Sequence, residues 1–295
     1  MALAPDDGER LFALGQSEFW FGYVNWEQGD LAAAREPFEA YLEISRRLAE
    51  KDPANLAWRR ELSYAHSNLG SLRQAEGDLE AALVQFQATL EIDKELVAAD
   101  PGDRDARSEL AASHNTVGVA LQDLGRLAEA GEHLQADLEI RQALLAEDPE
   151  DPRARDFLGG SHGRLGIQLS MLGDWPGAGE HFRAQREIFE ELVAHDPANT
   201  TWLFKLIWGQ LEFTRVALAR GDLAAADASS RLACSAISKL LALDPTHVKC
   251  RWTRAVCLHH RAVLERLHGD AALAAPRSRP WSFSRTSSGR NPGIA

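Results

Sequence analysis

Three histidines in this sequence could bind a metal ion or transfer protons. His66, His114 and His162 recur at one constant interval of 48, each among small or polar neighbours. Histidine titrates close to neutral pH and is the commonest metal ligand in proteins. A set of three at one fixed interval therefore indicates either a chemical site built three times or a repeated structural position.

A second group of candidate ligands lies near the end of the chain. Cys250, Cys257, His259 and His260 follow the spacing Cys-x6-Cys-x-His, which is not that of a zinc finger or zinc ribbon. With Cys234 the chain has three cysteines, an odd and clustered set that we do not expect to form a disulfide framework. This usage fits a reducing cytoplasm, and the sequence predicts no metal site and no cofactor.

Motifs for enzymatic chemistry are absent from the sequence. The glycine-rich stretch GGSHGRLG at 159–166 has neither the preceding strand nor the lysine of a phosphate-binding loop. No HExxH, GxSxG or kinase signature occurs. We therefore predict no catalytic residue and a protein that is not an enzyme.

The elements that carry these residues follow a strict repeat. Asp-Pro recurs with a period of 48, at 52/53, 100/101, 148/149, 196/197 and 244/245. Glycine keeps the same interval, at Gly29, Gly77, Gly125, Gly173, Gly221 and Gly269. A fixed period of this length is typical of stacked repeat proteins.

Each marker predicts a helix boundary. Asp before Pro predicts the start of a first helix, with Asp as N-cap and Pro at the first helical position. The glycine predicts the end of that helix in a left-handed conformation. In five copies the following Asp can cap a second helix, whereas Arg126 leaves one second helix without this cap. These residues are Asp30, Asp78, Asp174, Asp222 and Asp270.

Apolar residues between the markers recur at helical spacing. In the clearest copy they predict two helices, at about 54–76 and 79–98. The stripes contain Leu62, Leu69 and Leu72 in the first helix and Leu79, Ala82, Leu83, Phe86, Leu90 and Leu96 in the second. Neither helix can bury its stripe alone, so neighbouring hairpins must stack.

These positions resemble the tetratricopeptide repeat family. Leu69-Gly70, followed by Ala82 and Phe86, matches its spacing. Corresponding residues are Phe21-Gly22, Ala34 and Phe38; Val117-Gly118, Ala130 and Leu134; Leu165-Gly166, Ala178 and Phe182; and, more weakly, Phe213-Thr214, Ala226 and Ser230. The usual repeat of the family is about 34 residues long. Because the period here is longer, the chain is similar to the long-helix variety of bacterial signalling proteins.

The resemblance implies an all-α fold, a right-handed α-solenoid of stacked antiparallel helical hairpins. The predicted array covers 5–275, with repeats at about 5–51, 52–99, 100–147, 148–195, 196–243 and an incomplete 244–275. Residues 276–295 abandon the pattern and are rich in Pro, Ser and Arg, which predicts a disordered basic tail; a frameshifted or truncated end would look the same.

The repeat favours a structural role for the three histidines. Packed helices lie about 8–10 Å apart, whereas zinc binds its nitrogen ligands at about 2.0–2.1 Å. Residues spaced along a stack therefore do not converge on one ion. In the resembled family this position faces the partner helix of the hairpin.

Charge and hydropathy exclude several classes of partner. Because the chain carries −12 overall and residues 276–295 contain four Arg and no other charged side chain, residues 1–275 carry −16. A phosphate backbone needs a basic surface, so we predict no nucleic-acid partner. No signal peptide and no apolar run of about 18 residues occurs, so we predict no membrane association and a cytoplasmic location.

In the resembled family, ligands bind the concave groove lined by the first helices. The corresponding candidates here are Gln16, Phe19, Tyr23 and Trp26; Tyr64, Ser67, Ser71 and Gln74; and Asn115, Val119 and Gln122. In the aromatic segment 18–26, assigning residues to the positions of the family repeat (the family frame) predicts that Phe21 is buried and that Trp20 lies beside the groove. Ordinary packing is the alternative role for several of these aromatics.

The prediction for function is a non-catalytic scaffold that binds a protein or peptide in this groove. The set lacks the Lys, Asn and Arg pattern by which some relatives bind a C-terminal dicarboxylate. One alternative is the sensing or assembly arm of a larger bacterial signalling protein with an upstream effector domain such as a kinase. Another is small-ligand binding in the same groove.

Overall fold

A computed structural model describes residues 8–269, and every regular element in that range is an α-helix. The first helices of the hairpins are α1 (Gly8–Glu27), α3 (Leu56–Glu76), α5 (Arg104–Asp123), α7 (Pro152–Leu172), α9 (Thr200–Ala219) and α11 (Val248–Gly269). The second helices are α2 (Leu31–Lys51), α4 (Leu79–Ala99), α6 (Leu127–Glu147), α8 (Trp175–His195) and α10 (Leu223–Leu243). The predicted tail at 276–295, the end of the predicted array at 270–275 and the cap at Asp270 lie outside the described residues.

Each helix packs against the helices before and after it in the chain, from α1 on α2 to α10 on α11. Every second helix therefore lies between two first helices, that of its own hairpin and that of the next. From α3 onwards the first helices begin at one constant interval, at Leu56, Arg104, Pro152, Thr200 and Val248. The predicted all-α stack of helical hairpins, an α-solenoid, is confirmed.

The turn inside each hairpin depends on a left-handed glycine. Gly77 has φ +89° and Gly173 has φ +81°, values that a residue with a side chain adopts only with strain. The Asp after the glycine then caps the second helix, as Asp78 does by accepting the N–H of Ala81 at 3.1 Å. Arg126 makes no side-chain cap, as predicted.

The prediction that Asp-Pro opens each first helix is wrong. These aspartates are instead the C-caps of the preceding second helices, at Asp52, Asp100, Asp148, Asp196 and Asp244. The residue before a proline avoids the helical region, so the dipeptide ends a helix here. The N-cap of the next helix lies three residues further on in four cases, at Asn55, Asp103, Asp151 and Asn199.

A glycine against a large apolar side chain sets the close approach of the two helices in a hairpin. A Cβ at Gly70 would lie 2.6 Å from the ring of Phe86, and one at Gly166 would lie 2.8 Å from the ring of Phe182. Both rings are buried. The spacing of glycine and phenylalanine in the sequence is therefore a packing requirement of the hairpin.

Buried carboxylates join successive hairpins. Asp93 on α4 accepts hydrogen bonds from Ser63 on α3 at 2.6 Å and from Ser113 on α5. One hairpin later, Asp137 on α6 accepts from Ser161 on α7 at 2.6 Å. Burial raises the pKa of both carboxyls, and the serine hydroxyls oppose that rise. Because buried polar groups need partners, these contacts help to specify which helices meet.

The three cysteines form no disulfide framework, but two of them form one disulfide that the sequence did not predict. Cys234 on α10 and Cys257 on α11 are bonded, with Cα atoms 6.1 Å apart, and Cys250 is free and buried. The odd number concealed the pair because the third cysteine, Cys250, stays free while Cys234 and Cys257 face each other across the interface between α10 and α11. The bond ties the last described helix to the array.

No described helix combines the length and the apolar character that crossing a bilayer requires.

Candidate interaction surface

Side chains of successive first helices contact one another along one side of the stack. We call this side the inner face, because it is where the family frame places the concave groove. Its contacts include Gln16 to Glu61 at 2.6 Å, Gln74 to Asp123 at 3.0 Å, Gln122 to Gln168 at 2.7 Å and Lys205 to Asp156 at 2.6 Å.

An aromatic cluster lies at the α1 end of the inner face. The ring of Phe19 lies 5.1 Å from that of Trp20, 6.0 Å from that of Tyr23 and 5.6 Å from that of Tyr41. Trp20 is 58% exposed and Tyr23 is 40% exposed, whereas Tyr41 is buried. The cluster of Phe19, Trp20 and Tyr23 thus presents large apolar area to solvent on a rigid helix.

A network of polar side chains joins α3 to the start of α5. The hydroxyl of Tyr64 on α3 donates to Glu109 on α5 at 2.5 Å. Arg60 contacts both Glu109 at 3.0 Å and Asp103 at 2.7 Å. Burial and the hydrogen bond to Glu109 raise the pKa of Tyr64, and burial also raises the pKa of Glu109. Tyr64 therefore stays protonated and holds α3 against α5.

The structure divides the predicted groove residues into three groups. Gln16, Tyr64, Gln74 and Gln122 already bond to the neighbouring first helix. Phe19 and Trp26 are half-buried and pack against the core formed by Ala34, Phe38, Leu69 and Leu72. The remaining candidates are Tyr23, Ser67, Ser71, Asn115 and Val119, of which only Tyr23 is exposed and the others are half-buried.

The expected burial of Phe21 is wrong. Phe21 is 65% exposed, although Leu69 and Val117, which occupy the same repeat position, are 5% and 0% exposed. The family frame assigns the position correctly. However, the later residues are covered by the second helix of a preceding hairpin, and no described helix precedes α1.

Sequence reasoning missed a second aromatic pair on the first helices. Trp208 on α9 stacks on Trp252 on α11 with ring centroids 5.7 Å apart, and Trp252 is 51% exposed. Trp208 follows Tyr64 by exactly three periods of the repeat. The repeat frame could therefore have identified it.

His66, His114 and His162 each contact a side chain of the second helix in their own hairpin. His66 donates from Nδ1 to Oε1 of Gln85 at 2.7 Å. In the next two hairpins the Nδ1 atoms are 3.1 Å apart for His114 and His133 and 3.0 Å apart for His162 and His181. Each pair joins a first helix to its second helix. The described residues contain no group of three potential ligands placed to hold a metal ion.

Replacing His133 and His181 with Gln should weaken the acid sensitivity of the array. Burial and the neighbouring imidazole hold the folded-state pKa of His114 and His162 at about 4, against 6.5 in the unfolded chain. The unfolded chain therefore binds protons first, so this stability is complete above pH 6.5 and is lost as the pH falls towards 4. We expect a smaller fall in Tm across that window than in the parent, measured by circular dichroism.

Gln is the chosen replacement because Gln85 already occupies the same repeat position, beside His66. Their Tm under mildly alkaline conditions should stay close to that of the parent. An unchanged slope of Tm against pH between 6.5 and 4 would show that the two pairs do not control acid sensitivity.

Known proteins are similar to this chain in fold but not in sequence. No protein-family model matches the sequence, and no curated protein matches it in a sequence search. BtubC (BKLC) from P. vanneervenii superimposes with a TM-score of 0.55 at 18% identity, over 85% of this chain and 96% of that chain.

Two further structures superimpose over most of this chain. A Rap protein complexed with competence and sporulation factor has a TM-score of 0.53 at 13% identity, over 88% of this chain and 69% of that chain. The signal transduction ATPase with numerous domains from Pyrococcus horikoshii, which has a tetratricopeptide repeat sensor, has a TM-score of 0.59 at 14% identity. That match covers 92% of this chain and 39% of that chain.

Proposed function

We propose that this chain, whose fold is a tetratricopeptide-type α-solenoid, is a non-catalytic scaffold that binds a protein or peptide on its inner face. The premise is the fold alone, since the three similar structures are only 18%, 14% and 13% identical to it in sequence. The proposal therefore depends on what the inner face offers a ligand.

The observation that carries it is the aromatic cluster of Phe19, Trp20 and Tyr23, in which Trp20 and Tyr23 are exposed and Phe19 anchors them to the core. Aromatic side chains offer large contact area at low conformational cost and are enriched at the centres of protein interfaces. Trp20 and Tyr23 are held by edge-to-face packing, with ring centroids 5.8 Å apart. A partner would thus meet rings that are already ordered, which lowers the entropic cost of binding.

The hydrogen bonds between successive first helices favour a preformed surface. Gln74 joins α3 to α5 and Gln122 joins α5 to α7, so the spacing of these helices on the inner face is set before a ligand arrives. Within this frame the half-buried Ser67 provides a polar group of the kind that binds a peptide backbone, whereas the amide of Asn115 already donates to Asp137. The ligand that fits is an extended or helical segment with at least one apolar side chain for the aromatic cluster.

The similar structures support two forms of this proposal. The Rap protein was solved as a complex with competence and sporulation factor, which favours a surface that binds a signalling ligand. The Pyrococcus horikoshii ATPase uses a repeat array as a sensor within a longer chain, which favours the sensing or assembly arm of a larger protein. Binding on the inner face is common to both.

Replacing Trp20 and Tyr23 together with Ala should weaken ligand binding at least tenfold, because the cluster loses its exposed contact area. Peptides selected from a random display library against the parent are the probe, and titration calorimetry measures their affinity. Trp26 is left unchanged because its ring packs on Phe38 at 6.3 Å and its loss would disturb the core.

Val84→Ala is the matched control because Val84 is 60% exposed but lies on a second helix, α4. It should leave the affinity unchanged. Retained affinity in the Trp20/Tyr23 variant, with an unaltered circular dichroism spectrum, would exclude the aromatic cluster as the binding site.

A further inference from the structure

The first helix, α1, carries an exposed apolar stripe. The corresponding residues of the later first helices are covered by a neighbouring helix. Leu14, Ser17, Phe21 and Val24 recur at helical spacing on one side of α1, and we call them the edge stripe. Leu14 is 51%, Phe21 65% and Val24 48% exposed. Monomeric proteins rarely leave a contiguous set of large apolar side chains exposed without a role for it.

The same repeat positions are buried or half-buried on every later first helix up to α9. The positions of Ser17 and Val24 show this most clearly. Ser17 corresponds to Ala65, Ser113, Ser161 and Gly209, which are all buried. Val24 corresponds to Leu72, Ala120, Gln168 and Val216, which are at most 1% exposed.

In each of those cases the covering element is the second helix of the preceding hairpin. Ala34 and Phe38 of α2 pack on Leu69 and Leu72 of α3. The same interface recurs where Ala82 and Phe86 of α4 pack on Val117 and Ala120 of α5, where Leu134 and Leu138 of α6 pack on Leu158 and Leu165 of α7, and where Ala178 and Phe182 of α8 pack on Val216 of α9. The edge stripe is the first-helix half of the same interface, and the described residues contain no second helix that covers it.

We propose that the edge stripe binds an amphipathic helix of the second-helix type, with Ala and an apolar side chain four residues later, supplied by a repeat-containing partner protein. Binding would continue the stack past α1 by one more copy of an interface that the chain already makes four times. This surface differs from the inner face. Its residues lie on the side of α1 that corresponds to the side by which later first helices contact the second helix of the preceding hairpin.

None of the second helices that the structure describes is available to cover the stripe. All five described second helices, from α2 to α10, are already packed between two first helices. Residues 270–295 contain three prolines and have Ser278 where Phe38 and Phe86 stand in their copies. A second copy is therefore a poor source of the missing helix.

A synthetic peptide of residues 78–99, which includes α4 and its cap Asp78, is the probe. Fluorescence anisotropy should show saturable binding of the labelled peptide to the full chain. Val24→Glu should weaken that binding at least tenfold, because it places a charge where Leu72 and Val216 are buried in their copies. The same peptide with Phe86→Glu should not bind.

Two matched variants separate this site from others. Leu258→Glu introduces the same charge at a residue that is 57% exposed on α11, at the opposite end of the array. Tyr23→Ala alters the aromatic cluster of the inner face. Both should bind the peptide within about twofold of the parent, so failure here is distinguishable from failure of the inner-face proposal.

A fused version tests the same interface without relying on a free peptide. Residues 78–103 placed ahead of Gly8, in the place of residues 1–7, reproduce the natural junction between α4 and α5, because α1 begins two periods of the repeat before Arg104. We expect Tm to rise by about 3 °C or more, and the rise to vanish when the fused segment carries Phe86→Glu.

The proposal is overturned if neither the peptide nor the fusion engages the stripe. It is also overturned if peptide binding survives Val24→Glu. A chain that forms dimers in light scattering, with the dimer lost in Val24→Glu, would assign the stripe to a second copy instead.

Discussion

Replacing Asp137 with Ala should lower the free energy of unfolding by about 3–5 kcal/mol. Asp137 is 2% exposed and pairs with Arg141, 6% exposed, at 3.3 Å. Burial lowers the pKa of Arg141, and the carboxylate opposes that effect. Without Asp137 the guanidinium would keep its bond to Ser108 at 2.6 Å but would lie buried without a counter-charge. Urea denaturation followed by circular dichroism measures the change.

Glu129→Ala is the matched control for this prediction. Glu129 pairs with Arg126 at 2.6 Å, but both side chains are exposed, so its loss should leave the free energy of unfolding close to that of the parent. Replacing the buried pair together, as Asp137→Leu with Arg141→Met, should recover most of the loss because no uncompensated charge remains. A loss below about 1 kcal/mol in Asp137→Ala would show that solvent reaches Arg141.

Replacing Phe182 with Ala should lower the free energy of unfolding by about 3–5 kcal/mol, through lost transfer energy and the cavity that remains. Phe182 is 0% exposed, and its ring lies against Gly166, Ala178 and Val216. Since Gly166 has no side chain to move into the space, the cavity cannot close easily. The same denaturation experiment measures this loss.

Two variants set the scale for Phe182→Ala. Phe182→Leu should cost much less, about 1 kcal/mol, because Leu134 fills this position in the preceding hairpin. Leu172→Ala removes a side chain that is 55% exposed at the end of α7 and should change stability little. Equal losses for Phe182→Ala and Leu172→Ala would contradict the packing described for this hairpin.

How well the sequence predicted the molecule depended on the range of the interaction. The left-handed glycines from Gly29 to Gly221, the Asp caps from Asp30 to Asp222 and the missing cap at Arg126 were correct, because each involves groups only a few residues apart in the chain. The Asp-Pro dipeptide was placed at the right boundary but assigned to the wrong helix. A proline can end one helix or begin the next, and only the four-residue loop with its second cap, such as Asn55, decides between them.

The sequence also determined that hairpins must stack, because a strict period of amphipathic helices leaves no other way to bury the stripes. It did not determine what each side chain meets across the interfaces. The pairing of His114 with His133, the disulfide between Cys234 and Cys257 and the use of Gln74 and Gln122 as links between first helices all join groups that are far apart in the chain. Repetition predicts equivalent positions but not the partners that differ from copy to copy.

The candidate sites show the same division. Sequence alone placed an aromatic-rich helix at the start of the array and assigned Phe21 to the apolar position of the repeat. Only the tertiary structure decided that Phe19 and Trp26 contribute to the core while Trp20, Tyr23 and Phe21 remain exposed. The physical reason is that burial in a stack depends on the neighbouring hairpin, and α1 has a neighbour on one side alone among the described residues.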